Sequence, residues 1–275
     1  MSLPVALQLY SVRNEMEKDF EGTVKKVAEL GYQGVEFAGL FGHTAEQVRE
    51  ICAAAGVEPV SAHVPLDEML ADCKGTLAKY KEIGCRYIVV PYLPEERRPG
   101  FADFEKTLAE MAEIGAQCKE FGLKLLYHNH DFEFVKLGDK YGLDVMYDTV
   151  DADLLATELD TCWVNVGGED PAAYVLKYSG RAPVVHLKDF VMQGKEKPQK
   201  LYALIGIDDD EEQAAEEAFS FKPVGSGVQD MPAILDASEK AGAEWVVVEQ
   251  DQPDAGHTEL ECAQLSRSFL RKLGW

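Results

Sequence analysis

Short apolar segments alternate with amphipathic segments along the whole 275-residue chain. The segments between the apolar ones repeat apolar residues every three or four positions, as in Phe20, Val24 and Val27, which is typical of helices packed on one face. Strands that alternate with helices pair in parallel, and eight such units predict a closed (β/α)8 TIM barrel. The predicted strands are Val5–Leu9, Gly34–Phe37, Glu58–His63, Arg86–Pro91, Lys124–His128, Ala156–Asp160, Pro183–Lys188 and Trp245–Glu249.

Glycines follow several of the predicted helices, as at Gly31, Gly56 and Gly84, and the next strand begins soon afterwards. Glycine readily adopts the left-handed conformation that ends a helix, so this recurrence supports a strand–helix repeat. An open doubly wound sheet is the alternative fold, but no GxGxxG motif follows the first strand, so the usual dinucleotide-binding loop of that fold is missing. We expect a single α/β barrel domain over residues 1–275.

Residues 190–230 interrupt the repeat. They include an acidic run at Asp208–Glu212 and a glycine-containing turn at Pro223–Gly227. An insertion after the seventh strand would lie over the barrel mouth, as a lid or as a contact between subunits of a homo-oligomer. A solvated acidic helix without a function explains the acidic run equally well.

The charge balance argues against several classes of partner. The chain has 27 basic and 49 acidic residues, a net charge of −22, which repels nucleic acids and anionic membranes. Its six cysteines are scattered without a CxxC pair, as expected for thiols in a reducing cytosol. There is no signal-peptide pattern and no apolar run of the ~18 residues that cross a bilayer, so we expect a cytoplasmic protein.

Polar residues gather at the carboxyl ends of the predicted strands, where the active site of a TIM barrel lies. A lone histidine or carboxylate there would more often be a structural group. Several carboxylates on neighbouring strands, however, would repel one another unless a cation neutralised them, and a mixed histidine and carboxylate set suits Mn²⁺, Mg²⁺, Co²⁺ or Zn²⁺. The residues at these ends are Gln8, Tyr10, Glu36, His63, His128, His130, Asp131, Glu133, Asp160, His186, Lys188, Asp189, Glu249 and Asp251.

The motifs at these positions resemble those of the xylose isomerase-like TIM barrels, specifically the sugar phosphate isomerase/epimerase family. The resemblance covers essentially the whole barrel and implies one divalent metal ion, ligated by Glu133, Asp160, His186 and Glu249. The motifs are ALQLYS (6–11), GYQGVE (31–36), SAH (61–63), YHNHDFEF (127–134), ELDTCW (158–163), VHLKD (185–189), VGSG (224–227) and VEQD (248–251).

The fourth ligand has an alternative. Many members of the family place a glutamate within the fifth strand, where this chain has Tyr127 and His128, so His128 or His130 could replace Glu133 as ligand. In relatives with a similar His-Asp-Phe-Glu segment the histidine acts as a base. The resemblance therefore implies that His130 abstracts a proton and that Glu249 takes part in proton transfer.

Other side chains at the mouth are candidates to contact the substrate. They are His63, Glu36, His128, Lys188 and Trp163. Trp163 and Phe37 could form an apolar wall for a sugar ring, and simple aromatic packing at the barrel rim is at least an equal interpretation of these two.

The implied chemistry is removal of a proton beside a substrate carbonyl, with a divalent ion stabilising the enediolate. Return of the proton makes the enzyme an isomerase or epimerase, whereas loss of a β-leaving group makes it a lyase or dehydratase acting on an inosose or 3-keto-glycoside. A phosphate could be held by Gly225–Gly227 with Lys188 or Lys222, but the acidic mouth favours an unphosphorylated sugar. Two other classes are a non-catalytic sugar-binding subunit and an endonuclease acting at abasic DNA sites, which the net charge of −22 disfavours.

Overall fold

The computed structural model describes residues 2–192, 201–202 and 219–275. Each predicted strand is present, with its ends within one residue of the prediction. The strands are β1 (Val5–Gln8), β2 (Gly34–Ala38), β3 (Glu58–His63), β4 (Tyr87–Val90), β5 (Lys124–His128), β6 (Lys136–Leu137), β7 (Lys140–Tyr141), β8 (Ala156–Asp160), β9 (Val184–Leu187), β10 (Asp189–Met192), β11 (Phe219–Lys222) and β12 (Trp245–Val248).

Eight of these strands close into a barrel in the order β1-β12-β9-β8-β5-β4-β3-β2. Every pair in this barrel is parallel, including the pair of β1 with β12 that closes it, in which Val5 lies opposite Val246. The predicted TIM barrel is therefore confirmed. Its closure brings the ends of β5, β8, β9 and β12 side by side, although they are far apart in sequence.

The helices lie between the strands and are stopped by the residues that the sequence suggested. Gly31 and Gly84 end α2 and α5 with φ angles of 90° and 107°, a region that favours glycine. The helices are α1 (Arg13–Lys18), α2 (Phe20–Leu30), α3 (Ala45–Ala55), α4 (Leu66–Ala71), α5 (Cys73–Ile83), α6 (Phe104–Glu120), α7 (Gly142–Thr149), α8 (Thr161–Val166), α9 (Pro171–Lys177), α10 (Met231–Ala241) and α11 (Glu259–Lys272). None of the helices in the described part of the chain is long and apolar enough to span a membrane.

The barrel interior changes character along the strands. At the amino ends an apolar cluster fills the barrel, and it includes Leu126, Ala156, Val184 and Trp245. Since side chains alternate between the two faces of a strand, the next inward positions lie two residues further along. On β5, β8 and β9 these positions carry buried polar groups, which are His128, Glu158 and His186.

Part of the segment predicted as an insertion forms a small antiparallel sheet. In it β10 pairs with β11, with Asp189 opposite Lys222 and Met192 opposite Phe219. Phe190, Phe219 and Phe221 pack in one buried cluster with Trp163 and Leu201. Residues 193–200 and 203–218 of the predicted insertion, which include Asp208–Glu212, lie outside the described residues, so the role of the insertion as a lid or subunit contact stays a prediction.

Candidate active site

Four side chains from neighbouring strands meet at the carboxyl end of the barrel, and we call them the outer group. They are His128 on β5, Asp160 on β8, His186 on β9 and Glu249, which directly follows β12. All four are buried, and one ligand atom from each lies within 4.8 Å of the others. The outer group thus contains three of the predicted ligands, with His128 as the fourth member.

The outer group has the donor chemistry of a divalent-cation site. Glu249 Oε2 lies 3.1 Å from His186 Nδ1 and 3.9 Å from His128 Nε2, and Asp160 Oδ2 lies 3.6 Å from His128 Nε2. Asp160 Oδ2 is buried and accepts no hydrogen bond from any described residue. Burial, with a contribution from the charge of Glu249, raises the pKa of Asp160 to about 7. A buried carboxylate oxygen without a donor, beside two imidazoles and a second carboxylate, fits a bound cation.

A second set of side chains lies one layer deeper, and we call it the inner network. Glu158 Oε1 lies 2.6 Å from His63 Nε2, 3.0 Å from His186 Nε2 and 3.1 Å from His128 Nδ1. Glu36 Oε1 lies 2.8 Å from His186 Nε2 and 3.1 Å from His63 Nε2. His63, His128, Glu158 and His186 also have ligand atoms within 4.8 Å of one another.

Hydrogen bonds and charges hold the inner network in place. Gln8 Nε2 donates to Glu36 Oε1 at 2.7 Å, and the Ser61 hydroxyl donates to Glu36 Oε2. Burial disfavours a charge on His63, but the carboxylates of Glu36 and Glu158 outweigh this effect and raise the pKa of His63 to about 10. The network therefore couples β1, β2, β3 and β8 beneath the outer group.

Lys188 places an ammonium group against the outer group. Its Nζ lies 3.0 Å from Glu249 Oε2, 2.5 Å from Asp251 Oδ2 and 3.8 Å from Asp160 Oδ2, and the residue is 1% exposed. The three carboxylates raise the pKa of Lys188 well above its usual range despite its burial. The ammonium therefore offsets part of the negative charge at the mouth.

His130 and Glu133 follow β5 and occupy different environments. His130 Nδ1 is buried without a partner among the described residues, and burial lowers the pKa of this imidazole well below its usual value. Glu133 is fully buried, and its carboxylate accepts hydrogen bonds from the Tyr127 hydroxyl and, at 2.8 Å, from the His130 backbone N–H. Two sets of described residues could hold a metal ion: the outer group, and the set of His63, His128, Glu158 and His186; we call both metal-competent groups. Glu133 belongs to neither of them, whereas His128, the alternative fourth ligand, belongs to both.

A cavity of about 450 Å³ opens at the barrel mouth. Its apolar part includes Pro65, Tyr80, Pro91 and Tyr92, of which Tyr92 is 38% exposed. Asp160, His186 and Glu36 are fully buried and do not line it. The predicted site residues that do line it are Tyr10, His63, His128, His130, Lys188, Glu249 and Asp251.

The glycine-containing turn suggested for phosphate binding already holds a carboxylate. The backbone N–H groups of Gly225 and Gly227 each donate to Asp189 Oδ2 at 2.9 Å, and that of Gln229 donates to Asp189 Oδ1 at 3.1 Å. Lys222, the other phosphate candidate, lies 2.5 Å from Asp254 Oδ1. The chain thus uses this cradle for its own anion.

The two aromatic residues suggested as an apolar wall are packed in the interior. Trp163 and Phe37 are fully buried and are not among the cavity-lining residues. The Trp163 ring stacks on Phe219 with centroids 6.3 Å apart and lies 5.3 Å from the ring of His130. The geometry agrees with the packing interpretation, and the assignment of Trp163 as a substrate contact stays a prediction.

Glu158 is the site residue that the sequence interpretation passed over. Strand alternation could have identified it, because Glu158 and Asp160 are two residues apart on β8 and face the same interior. Tyr80 and Tyr92 were also missed. Tyr80 belongs to α5, away from the strand ends, whereas Tyr92 directly follows the predicted fourth strand and could have been identified by its position there.

Comparison with known proteins places the chain in a family. The profile of the xylose isomerase-like TIM barrel family matches residues 24–273, and the protein belongs to this family. It is 23% identical to the inosose dehydratase of Geobacillus kaustophilus (strain HTA426), covering 91% of this chain and 86% of that one. It is 24% identical to the inosose dehydratase of Clostridium beijerinckii (strain ATCC 51743 / NCIMB 8052), covering 93% and 90%.

Solved structures share the same fold. A sugar phosphate isomerase/epimerase from Parabacteroides distasonis ATCC 8503 superimposes with a TM-score of 0.77 at 21% identity. The superposition covers 98% of this chain and 94% of that protein. This likeness agrees with the barrel fold described above.

Proposed function

We propose that the protein is a divalent-metal-dependent isomerase or epimerase that moves a proton beside the carbonyl of an unphosphorylated sugar or keto-polyol. The observation that carries the proposal is the outer group, in which Asp160 Oδ2 is buried beside His128, His186 and Glu249 without a hydrogen-bond donor from the described residues. Such a set is costly to bury unless a cation completes it.

The proposed metal ligands are His128, Asp160, His186 and Glu249. A bound divalent cation supplies positive charge that stabilises the oxyanion developing on a substrate carbonyl as the neighbouring carbon loses a proton. Glu133 is not included, because both of its carboxylate oxygens accept hydrogen bonds from Tyr127 and the His130 backbone.

His130 is the proposed base. It lines the cavity, and burial lowers the pKa of its imidazole well below the usual value, so the ring is neutral and carries a lone pair that can accept a proton. Its ring is held between Phe132, at a centroid distance of 5.1 Å, and Trp163, at 5.3 Å. Glu249 also lines the cavity and is the proposed second group in proton transfer, while His63 and Lys188 would contact substrate hydroxyls.

The substrate is proposed to lack a phosphate. The backbone cradle at Gly225 and Gly227 binds Asp189, and Lys188 is the only lysine or arginine among the described cavity-lining residues. The ammonium of Lys188 is already shared by Glu249 and Asp251. A phosphate dianion would therefore meet an acidic mouth with little free positive charge.

Dehydration is the second candidate reaction, and the names of the relatives favour it. Two of them are inosose dehydratases that match about nine-tenths of this chain at 23% and 24% identity. The first step is the same proton removal, after which a β-hydroxyl leaves as water in place of reprotonation at carbon. The cavity offers His130 as a base and the ammonium of Lys188 as an N–H donor toward a leaving hydroxyl.

The test combines metal analysis with proton-exchange NMR. The purified protein is analysed for bound metal and then incubated in D₂O with a panel of ketohexoses, inososes and 3-keto-glycosides. We expect close to one equivalent of a divalent metal, and deuterium incorporation beside one carbonyl that a chelator abolishes. A product with the same atoms as the substrate, apart from the incorporated deuterium, indicates epimerisation or isomerisation. A product that has lost one water molecule indicates dehydration. A protein that binds no metal and exchanges no substrate proton would overturn the proposal, and it would leave the non-catalytic binding subunit as the better hypothesis.

A further inference from the structure

The two imidazoles of the outer group share one feature that the metal proposal leaves unexplained. Each uses its second ring nitrogen on the same deeper carboxylate oxygen. His128 Nδ1 lies 3.1 Å from Glu158 Oε1, and His186 Nε2 lies 3.0 Å from that atom and 2.8 Å from Glu36 Oε1. The opposite nitrogens, His128 Nε2 and His186 Nδ1, face Glu249 Oε2 at 3.9 and 3.1 Å.

A carboxylate beside one ring nitrogen decides which nitrogen holds the proton. A neutral imidazole has one N–H donor and one lone pair, and an ionised carboxylate can only accept hydrogen bonds. Glu158 therefore holds the proton of His128 on Nδ1, since the carboxylates nearest to Nε2 lie 3.6 and 3.9 Å away. On His186 the two carboxylates of Glu158 and Glu36 at Nε2 outweigh the one of Glu249 at Nδ1, so the proton is held on Nε2. The lone pairs then lie on His128 Nε2 and His186 Nδ1, which are the two nitrogens that face Asp160 and Glu249.

We infer that Glu158 is a positioning residue, which fixes the tautomers of both histidines so that a divalent cation is bound in the outer group. This inference rests on the proposed function, since it concerns the cation proposed there. It also discriminates between the two metal-competent groups. Both contain His128 and His186, and a neutral imidazole that donates its inner N–H to Glu158 cannot ligate a metal through the same nitrogen.

The surroundings of Glu158 suit this role. The residue is fully buried, and His63 Nε2, at 2.6 Å, approaches the same Oε1 atom from β3. Of the two histidines in the outer group, only His186 contacts Glu36. Glu36 itself accepts hydrogen bonds from Gln8 and Ser61. Carboxylates behind metal-bound histidines typically orient the ring and strengthen metal binding.

The first measurement needs no variant. Long-range ¹H–¹⁵N spectra of the full-length protein, recorded before and after Zn²⁺ is added, report which ring nitrogens carry protons. We expect protons on His128 Nδ1 and His186 Nε2 in both spectra, with Zn²⁺ changing the signals of His128 Nε2 and His186 Nδ1. A lone pair or a zinc shift on either inner nitrogen would overturn the inference. If Zn²⁺ changes nothing, the proposed metal function fails, while the first spectrum still decides the tautomers.

Variants then measure the consequence for metal binding. Glu158→Gln keeps the size of the side chain but adds an N–H donor, so both tautomers lose their constraint. We expect the affinity for Zn²⁺, measured by competition with a chromogenic chelator, to fall about 10- to 100-fold. Glu36→Gln should disturb the signals of His186 and leave His128 unchanged. Val184→Ala, in the apolar cluster at the amino ends of the strands, is the control for general loosening and should retain the affinity. If Glu158→Gln retains both the affinity and the ring protons of the wild type, Glu158 has no positioning role.

Discussion

Val184 and His186 stand two residues apart on the same strand, and both point into the barrel, yet one belongs to an apolar cluster and the other to a set of charges. The same change occurs from Leu126 to His128 on β5 and from Ala156 to Glu158 on β8. The amino ends of the strands enclose a dry apolar interior. The carboxyl ends enclose carboxylates, imidazoles and an ammonium that are also buried.

Burial has opposite energetic effects at the two ends of the barrel, and the candidate active site lies at the carboxyl ends. Burial of apolar surface at the amino ends contributes stability directly. Burial of carboxylates at the carboxyl ends costs desolvation energy, which hydrogen bonds, Lys188 and a cation would have to offset. In a TIM barrel the first end is expected to be structural and the second functional, so substitutions at the two ends should affect different measurements.

The largest expected effect is on turnover at the carboxyl end. His130→Phe keeps an aromatic ring between Phe132 and Trp163 but removes the nitrogen that would accept the substrate proton. We expect kcat to fall about 10²- to 10⁴-fold, with the melting temperature and metal content nearly unchanged. The matched control is His43→Phe, because His43 packs against Phe20 at a centroid distance of 4.5 Å, is not among the cavity-lining residues, and should retain full activity. Full activity in His130→Phe would remove His130 from the proposed mechanism.

The second effect is on stability at the amino end. Trp245 is 3% exposed and belongs to the apolar cluster that fills the barrel. Trp245→Ala should lower the free energy of unfolding by about 3–5 kcal/mol, measured by urea titration, through lost contacts and the cavity left behind. Trp245→Phe retains a ring and should recover part of this loss. If the Trp245→Ala protein that remains folded also has a lower metal content or a lower kcat, the amino end does not act on stability alone.

A smaller effect is expected from overpacking the same end. A Cβ added at Gly34 would lie 2.6 Å from Val60 Cγ2 and 2.9 Å from the Trp245 ring. Gly34→Ala should therefore destabilise the protein by about 1–3 kcal/mol without changing kcat. The double variant Gly34→Ala/Val60→Ala makes room for the new methyl group, so the two substitutions should be less destabilising together than their sum. If the destabilisation by the double variant equals the sum of the two single effects, the barrel relaxes around residue 34 and no clash with Val60 exists.

The fold was predictable from the sequence because its signals are local and repeated. The apolar segment at 124–128 and the glycine at position 84 each indicate one strand or one helix end, and eight repeats leave little choice of topology. The meeting of Asp160, His186 and Glu249 was also predictable, since the ends of parallel strands share one edge. These features depend on the order of elements rather than on side-chain geometry.

Other parts of the site depend on contacts that no pattern records. The ring of Trp163 stacks on Phe219 of β11, a contact between residues far apart in the sequence that no local pattern indicates. The Gly225 turn was considered for a phosphate, and only the fold shows that Asp189 occupies it. Glu133 is the clearest case, because hydrogen bonds from the Tyr127 hydroxyl and the His130 backbone N–H hold its carboxyl group away from the outer group.

Glu133 therefore gives the last and smallest effect, at the boundary between structure and function. Burial raises the pKa of Glu133 from its ordinary value of 4.5 to about 8. Between these pH values the folded protein keeps a proton that the unfolded chain has released, so this group makes stability fall as the pH rises from about 4.5 to about 8. Glu133→Gln removes the titration. Urea unfolding at several pH values should show a shallower decline for the variant, and metal analysis should show unchanged metal content. Loss of the metal would return Glu133 to the ligand set, and parallel pH profiles would mean that the wild-type carboxyl ionises normally.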